Sequence, residues 1–276
     1  MPDIVVRRGT VPRHLAGAIH RSPMLEIDQH RTARLAIDGV ARYLVQDGRE
    51  VIIDPETGAG AADIRTFLLG TVLSLLCLQR DLCPLHAAGV AIDGRAVLLA
   101  ADSGYGKSTL AAALALRGHV PLADSFCVID AFAAGGPQVL PSFPAISLWR
   151  DAATALGLPE SGRLPTRSGL AKHRHVIGDH HAFPRQPVPL AAVAVLSWAG
   201  RMQMPAFIPL DGVAGAAELH RLVHRQRVAD RWGMTPRLFL SMASIANQCQ
   251  TGRLIRSHGL AGLSDTVAAV EKMVQQ

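Results

Sequence analysis

The chain has 276 residues and a formal net charge of +6, and 49% of its residues are hydrophobic while only 4% are aromatic. This length allows one large domain or two smaller ones, with an aliphatic core. The basic balance fits an anionic ligand, but nucleic acid is not expected as a partner because no nucleic-acid-binding motif accompanies the basic residues.

No membrane attachment and a cytoplasmic location are expected. The longest apolar run, residues 67–78, is shorter than the roughly 20 residues that a membrane span needs, so it predicts a buried helix. The N-terminus is polar and charged, unlike a signal peptide. The scattered Cys77, Cys83, Cys127 and Cys249 form no Cys-x-x-Cys pair, which is typical of reduced thiols in the cytosol.

Residues 1–60 predict a small, mostly antiparallel β region. Short apolar runs suited to strands alternate with turns, and Asp38-Gly39 and Asp47-Gly48 are hairpin signals. A helix is predicted over residues 61–80 from its apolar spacing. We therefore place the boundary of a second, larger domain at residue 61, and this domain runs to residue 276.

Residues 85–100 predict a hairpin that turns at Asp93-Gly94, and its second strand leads into a glycine-rich segment. Residues 101–109 read Ala-Asp-Ser-Gly-Tyr-Gly-Lys-Ser-Thr, and an alanine- and leucine-rich helix follows until Gly118. Strand, glycine loop and helix in this order are typical of a phosphate-binding loop. The predicted nucleotide-binding residues are Ser103, Gly104, Tyr105, Gly106, Lys107, Ser108 and Thr109.

Each part of this loop has a chemical group suited to binding a nucleotide. Backbone N–H groups at a helix N-terminus attract phosphate oxygens. Lys107 is predicted to reach the β- and γ-phosphates, and the Ser108 hydroxyl to bind Mg²⁺. The general pattern begins with Gly, whereas this chain has Ala101.

Asp124 is the leading candidate for a metal ligand or a proton acceptor. It ends an apolar strand, residues 120–124, that follows the loop helix, and such strand ends lie close to a phosphate loop in α/β folds. His86 starts the strand before the loop and lies in the same region if the two strands are neighbours. Taken alone, His86 fits a structural role as well as a catalytic one.

The second half of the chain offers a basic segment but no further motif. Residues 159–187 are rich in Gly and Pro and predict a mobile loop, in which Lys172 and Arg174 are candidates for a substrate or phosphate clamp. A run of charge is also typical of a plain solvated surface. A buried strand is predicted over residues 190–197, and helices over residues 211–227, 236–250 and 265–276.

Residues 85–124 resemble the catalytic domain of HPr kinase/phosphorylase. That family carries Leu-His-Ala on a strand, then Asp-Ser-Gly-x-Gly-Lys-Ser, then Arg-Gly-His and an Asp-Asp pair. This chain has Leu85-His86-Ala87, the loop from Asp102 to Ser108, Arg117-Gly118-His119 and Asp124. In length and in its divergent N-terminal part it is also similar to lasso-peptide precursor tailoring kinases.

The resemblance implies an α/β fold, a P-loop kinase domain of the HPr kinase/phosphoenolpyruvate carboxykinase type with a mixed sheet. It implies ATP and Mg²⁺ as cofactors and transfer of the γ-phosphoryl group to a serine hydroxyl. The acceptor would be a peptide or small protein, in the lasso case a ribosomal precursor peptide. Asp124, His86 and Lys107 would be catalytic, with Ser108 and Asp124 at the metal. HPr kinases are hexamers, so a homo-oligomer is a further expectation.

Two departures keep an alternative open. The family's second aspartate is replaced by Ser125, and the residue after Lys-Ser, commonly Glu, is Thr109. Asp124 must then serve both roles alone, or His86 or Asp130 must help. The alternative function is an ATP-binding regulatory pseudokinase or scaffold without phosphoryl transfer. A nucleic-acid-linked NTPase would fit the charge, but no motif supports it.

Overall fold

The computed structural model describes residues 3–160, 163–177, 183–200 and 204–275. The strands are β1 (Val5–Arg8), β2 (Ala18–Arg21), β3 (Leu25–Asp28), β4 (Ala33–Ile37), β5 (Ala41–Gln46), β6 (Glu50–Pro55), β7 (Cys83–Leu85), β8 (Ala87–Ile92), β9 (Arg95–Ala100), β10 (Val120–Ala123), β11 (Cys127–Asp130), β12 (Gln138–Leu140), β13 (Ile146–Trp149), β14 (Leu164–Pro165), β15 (Lys172–His175), β16 (Val188–Ala199), β17 (Ala206–Pro209) and β18 (Gln250–Ser257). The helices are α1 (Ala61–Phe67), α2 (Leu73–Gln79), α3 (Lys107–Leu116), α4 (Arg150–Ala155), α5 (Gly212–His220), α6 (Gln226–Arg231), α7 (Thr235–Gln248) and α8 (Leu263–Gln275).

Contacts divide the chain into two compact units. The first contains the residues up to Leu82 together with Thr166–Leu170 and Arg225–Pro236. The second contains the rest of the described chain from Cys83 onward. This division differs from the boundary that the sequence predicts after residue 60, because α1 and α2 pack with the N-terminal sheet.

The first unit is built on a sheet with the strand order β1-β6-β5-β4-β3-β2. The strands pair antiparallel except for β1 and β6, which are parallel. The predicted hairpins at Asp38-Gly39 and Asp47-Gly48 are confirmed, and β2 and β3 are additions that the sequence did not predict. The Tyr43 hydroxyl donates to the Ile64 carbonyl at 2.9 Å, which ties α1 to this sheet.

The predicted helix over residues 61–80 is present as α1, a π-helical turn (Leu68–Val72) and α2. By length and composition the segment Ala61–Gln79 could cross a membrane, with a mean hydropathy of 1.7 in its most apolar stretch. Core helices of soluble proteins can be equally long and apolar, and 39% of that stretch is buried inside this protein. Val72, Leu75 and Leu78 are fully buried, in agreement with the predicted buried helix.

The second unit contains a sheet with the order β10-β8-β9-β16-β12-β11-β7, and β18 and β17 continue from β16. Strands β9, β16 and β18 are parallel, whereas β8 runs antiparallel to β9 and β10 runs antiparallel to β8. Strands β9 and β10 therefore run in the same direction on either side of β8. The mixed α/β character predicted from the sequence is confirmed.

Helix α3 is the centre of the core of this unit. It is apolar on all sides, and Leu110 and Leu114 are fully buried in it. The same core cluster includes Leu99 of β9, Ile146 of β13 and Val270 of α8. Residues 110–115 are all buried, so the core holds the N-terminus of α3 and the loop before it in place.

Two predicted elements of the second half of the chain need correction. Residues 159–187 are not a loop throughout, because β14 and β15 lie in them and β15 pairs with β13; residues 161–162 and 178–182 fall outside the described ranges. The predicted helix 211–227 ends at His220, and a second helix starts after Arg225, which has a left-handed φ of 63°.

Strand β18 is an element that the sequence did not predict. It begins at Gln250, directly after α7, and pairs with β16 along Ala192–Ala199. Gly252 and two arginines interrupt its apolar pattern, so composition does not indicate a strand in the middle of the sheet.

Candidate functional site

The predicted site lies at one edge of the sheet in the second unit. Strand β9 ends at Ala100 and pairs there with Ala87, the first residue of the antiparallel strand β8. Strand β10 ends at Ala123, which pairs with Gly89. His86, the glycine loop after β9 and Asp124 therefore come to the same edge, as the sequence predicts.

The glycine loop connects β9 to the N-terminus of α3. Gly104 and Gly106 have φ angles of 89° and 73°, a left-handed conformation that only glycine adopts without strain. Gly106 is the N-cap of α3, and Lys107 is its first residue. Backbone N–H groups and the positive end of the helix dipole therefore meet at this loop.

Lys107 is a buried cation folded back on the loop. Its Nζ donates hydrogen bonds to the carbonyls of Ala101 (2.9 Å) and Asp102 (2.8 Å). Burial lowers the pKa of Lys107 to about 8, although the nearby carboxylates of Asp124 and Asp102 oppose this shift and Lys172 adds to it. An anionic ligand beside the ammonium would raise this pKa again.

Asp124 is buried and held from two sides. Its Oδ1 accepts a hydrogen bond from the Ser108 hydroxyl at 2.7 Å, and its Oδ2 accepts one from the Ser147 backbone N–H at 2.8 Å. The residue after it, Ser125, has a left-handed φ of 77°. The carboxylate is therefore fixed beside the first turn of α3, with hard oxygen donors on Ser108 and Asp124 next to each other.

A cleft of about 250 Å³ opens over these groups. The predicted residues that line it are His86, Ser103, Gly104, Gly106, Lys107, Ser108, Thr109 and Lys172. Of the other predicted residues, Tyr105 stacks on Trp198 (ring centroids 5.7 Å apart) and Asp124 is buried against Ser108. The Arg174 guanidinium lies 5.3 Å from the centre of the Phe143 ring, so the structure brings Lys172 but not Arg174 to the cleft.

Several residues that line or support the site were not predicted. Ser125, Ser147, Trp149 and Asp151 line the cleft. The side chain of Arg256 donates to the carbonyl of Tyr105 in the loop at 2.6 Å.

Ser125 follows β10, Ser147 and Trp149 belong to β13, Asp151 belongs to α4, and Arg256 belongs to β18. No local pattern marks them, because they reach the loop only through the pairing of distant strands.

His86 lies beside a small aromatic group at the cleft. Its ring centroid is 5.9 Å from that of His224, which stacks on Phe126 at 5.4 Å. The His86 backbone N–H donates to the Leu222 carbonyl at 2.8 Å. The imidazole is thus positioned by its neighbours and also reaches the cleft.

The fold and the site at the ends of β9 and β10 define a mixed α/β protein with a glycine loop between a strand and a buried helix. No family model matches the chain, and no curated protein matches it. Among solved structures, the HPr(Ser) kinase/phosphatase from Coxiella burnetii is similar over 70% of this chain and 88% of that chain, with 16% identity and a TM-score of 0.35. The similarity is distant and does not define the family of this chain.

Proposed function

We propose that the chain is an ATP- and Mg²⁺-dependent kinase that transfers a phosphoryl group to a serine hydroxyl of a peptide or small protein. The observation that carries the proposal is the hydrogen bond of 2.7 Å between Ser108 and Asp124, directly beside the buried Lys107 at a glycine loop. Phosphoryl transfer needs this combination of a cradle for phosphates, a fixed cation and a metal site.

The residues at the loop fit a magnesium ion. Mg²⁺ binds few protein oxygens and keeps its remaining positions for water and phosphate oxygens. The Ser108 hydroxyl and the Asp124 carboxylate are such oxygens and already lie within 2.7 Å of each other. When bound, the ion would neutralise charge on the β- and γ-phosphates.

His86 and Lys172 are proposed for the acceptor side of the cleft. Asp124 is 5% exposed and engaged with Ser108, which favours the metal role for it. His86 lines the cleft and is therefore the better placed group to accept the proton of the acceptor serine, with Asp124 assisting. Lys172 would stabilise negative charge on the transferring group.

An acceptor peptide would have room beside the cleft. An open depression of about 850 Å³ runs along α4 and shares Trp149 and Asp151 with the cleft. Trp149 is 51% exposed there, and an exposed aromatic ring is a common anchor for a peptide. A lasso-type precursor peptide with a terminal serine is the substrate that the sequence resemblance favours.

The test is phosphoryl transfer from γ-labelled ATP to serine-containing peptides encoded near this gene, in the presence of Mg²⁺. Asp124→Asn should lower the transfer rate by about 10³-fold or more while the ATP dissociation constant stays within a few-fold of the wild-type value. The structure does not bring Asp130, the helper that the sequence left open, to the cleft: it ends β11 and accepts a hydrogen bond from the Phe132 N–H. Asp130→Asn is therefore the matched control. A folded protein that binds ATP but phosphorylates no serine would disprove the proposal.

A second candidate is an ATP-binding protein without phosphoryl transfer. Ser125 in place of a second carboxylate favours it, as does an Asp124 whose two oxygens already accept hydrogen bonds. Tight ATP binding without turnover, unchanged by Asp124→Asn, would support this candidate. The oligomeric state and the cytoplasmic location remain predictions.

A further inference from the structure

Arg256 is a buried cation directly behind the glycine loop. It belongs to β18, and only 4% of its surface is exposed. Its Nη2 donates a hydrogen bond of 2.6 Å to the carbonyl of Tyr105, and its guanidinium carbon lies 4.2 Å from the centre of the Trp198 ring. The side chain is thus fixed by one loop carbonyl and one aromatic face.

No carboxylate in the part of the chain that the structure describes neutralises the charge of Arg256. Within the described ranges, no aspartate or glutamate lies in ion-pair distance of its guanidinium. Burial lowers its pKa to about 10, which still leaves it protonated at neutral pH. Burying an unpaired charge is costly, so a cation in this position is typical of a site whose anion arrives as a ligand.

The neighbouring arginines behave differently. Arg253 on the same strand is exposed and lies 3.3 Å from Glu218, and Arg221 contacts both Glu218 (2.7 Å) and Asp102 (3.3 Å). These are solvent-exposed or partly exposed ion pairs of the ordinary kind. Arg256 alone among these three is buried without an acid.

The contact with Tyr105 has a consequence for the loop. In a trans peptide the C=O and the following N–H point in opposite directions. Since the Tyr105 carbonyl points to Arg256, the Gly106 N–H points away from Arg256. A Cβ at residue 106 would collide with Nη2 of Arg256, so glycine lets the guanidinium approach the loop this closely.

We propose that Arg256 is a positioning residue for polyphosphate binding, which holds the Tyr105–Gly106 peptide so that the Gly106 N–H faces the phosphates and which adds a positive charge behind them. This inference rests on the proposed nucleotide site. The ligand class it implies is a nucleoside di- or triphosphate, because a loop of this kind wraps the phosphates beyond the first one.

The experiment compares Arg256→Gln and Arg256→Lys with the control Arg253→Gln by titration calorimetry with ATP, ADP and AMP. Arg256→Gln should weaken ATP and ADP binding by about 10- to 100-fold, because a charge-assisted contact at the loop is lost. AMP binding should change less than about twofold, since AMP lacks the phosphates that the loop would wrap. Arg253→Gln should bind all three nucleotides like the wild type.

Arg256→Lys keeps the charge but loses the planar fork, and it tests the inference even where Arg256→Gln does not fold. It should lose several-fold in ATP affinity, less than the glutamine variant. Equal losses for ATP, ADP and AMP would indicate a general structural effect and overturn the inference. ATP affinity within twofold of wild type in a folded Arg256 variant would overturn it while leaving the proposed function intact. Failure of the wild type to bind ATP would overturn both.

Discussion

Lys107 is buried, and it is also the residue predicted to bind the phosphates of the ligand. Its ammonium is held by two loop carbonyls, and desolvation lowers its pKa to about 8. Asp124 beside it is held by a hydroxyl and a backbone N–H. At the scale of single residues, the site consists of a cation and an anion whose side chains are fixed in advance, which reduces the cost of ordering them around a ligand.

The lowered pKa of Lys107 predicts a pH dependence of ATP binding. In the free protein the ammonium loses its proton as the pH rises through about 8, while bound triphosphate favours the charged form. Binding therefore takes up a proton, and the ATP affinity should fall by about tenfold between pH 7 and pH 9. Calorimetry in buffers of different ionisation enthalpy measures both quantities.

Lys107→Met is the control for this experiment. The variant should bind ATP more weakly and lose the proton uptake, because the titrating group is gone. A wild-type affinity that stays constant from pH 7 to pH 9 would contradict the pKa of Lys107 as the cause.

The loop between β9 and α3 depends on two glycines that differ in their surroundings. Both have left-handed φ angles, but a Cβ at Gly104 would meet no atom within 4 Å, whereas one at Gly106 would collide with the Arg256 guanidinium. Substitution of Gly104 would therefore cost backbone strain alone, whereas substitution of Gly106 would cost the same strain plus a steric collision.

Gly104→Ala should lower the free energy of unfolding by roughly 1 kcal/mol, the cost of a left-handed alanine. Gly106→Ala should lower it by roughly 2–3 kcal/mol, because the collision with Arg256 is added to the same strain. Urea unfolding in the absence of nucleotide measures both values. An equal loss in the two variants would show that Arg256 moves away freely.

The elements from β8 to β10 could be predicted because each carries a local signal. Residues 85–124 hold a Gly-turned hairpin, a glycine loop, an alanine-rich helix and an apolar strand, and all of them form as predicted. Strand β18 could not be predicted, since it pairs with β16, which is distant in sequence. Its two arginines also interrupt the apolar pattern that would mark a buried strand. The contributions of Ser147 and Arg256 to the site follow from sheet register, which a single sequence does not reveal.

The whole molecule consists of two units with separate cores, and its cysteines are distributed over both. Cys77 belongs to the first unit, and Cys83, Cys127 and Cys249 belong to the second. Burial raises the pKa of Cys77 to about 12 and that of Cys249 to about 11, and it raises the pKa of Cys127 as well. The thiolate forms of these three cysteines are therefore scarce near neutral pH.

Thiol reagents at pH 8 should label the folded protein at least about tenfold more slowly than the protein in urea, because the reactive thiolate form is suppressed and shielded. Mass spectrometry assigns the label to each cysteine. With increasing urea, Cys77 reports the opening of the first unit and Cys127 that of the second. Rapid labelling of Cys127 under native conditions would contradict its full burial at the start of β11.

The hairpin that turns at Asp93-Gly94 has a consequence for the order in which the site forms. It joins β8 to β9, so His86 and the glycine loop meet through contacts between residues that are near in sequence. Arg256, which contacts the Tyr105 carbonyl, lies 151 positions further along the chain. Closing short loops is faster than closing long ones, so we expect the phosphate cradle to assemble early during folding and the buried cation behind it to arrive last.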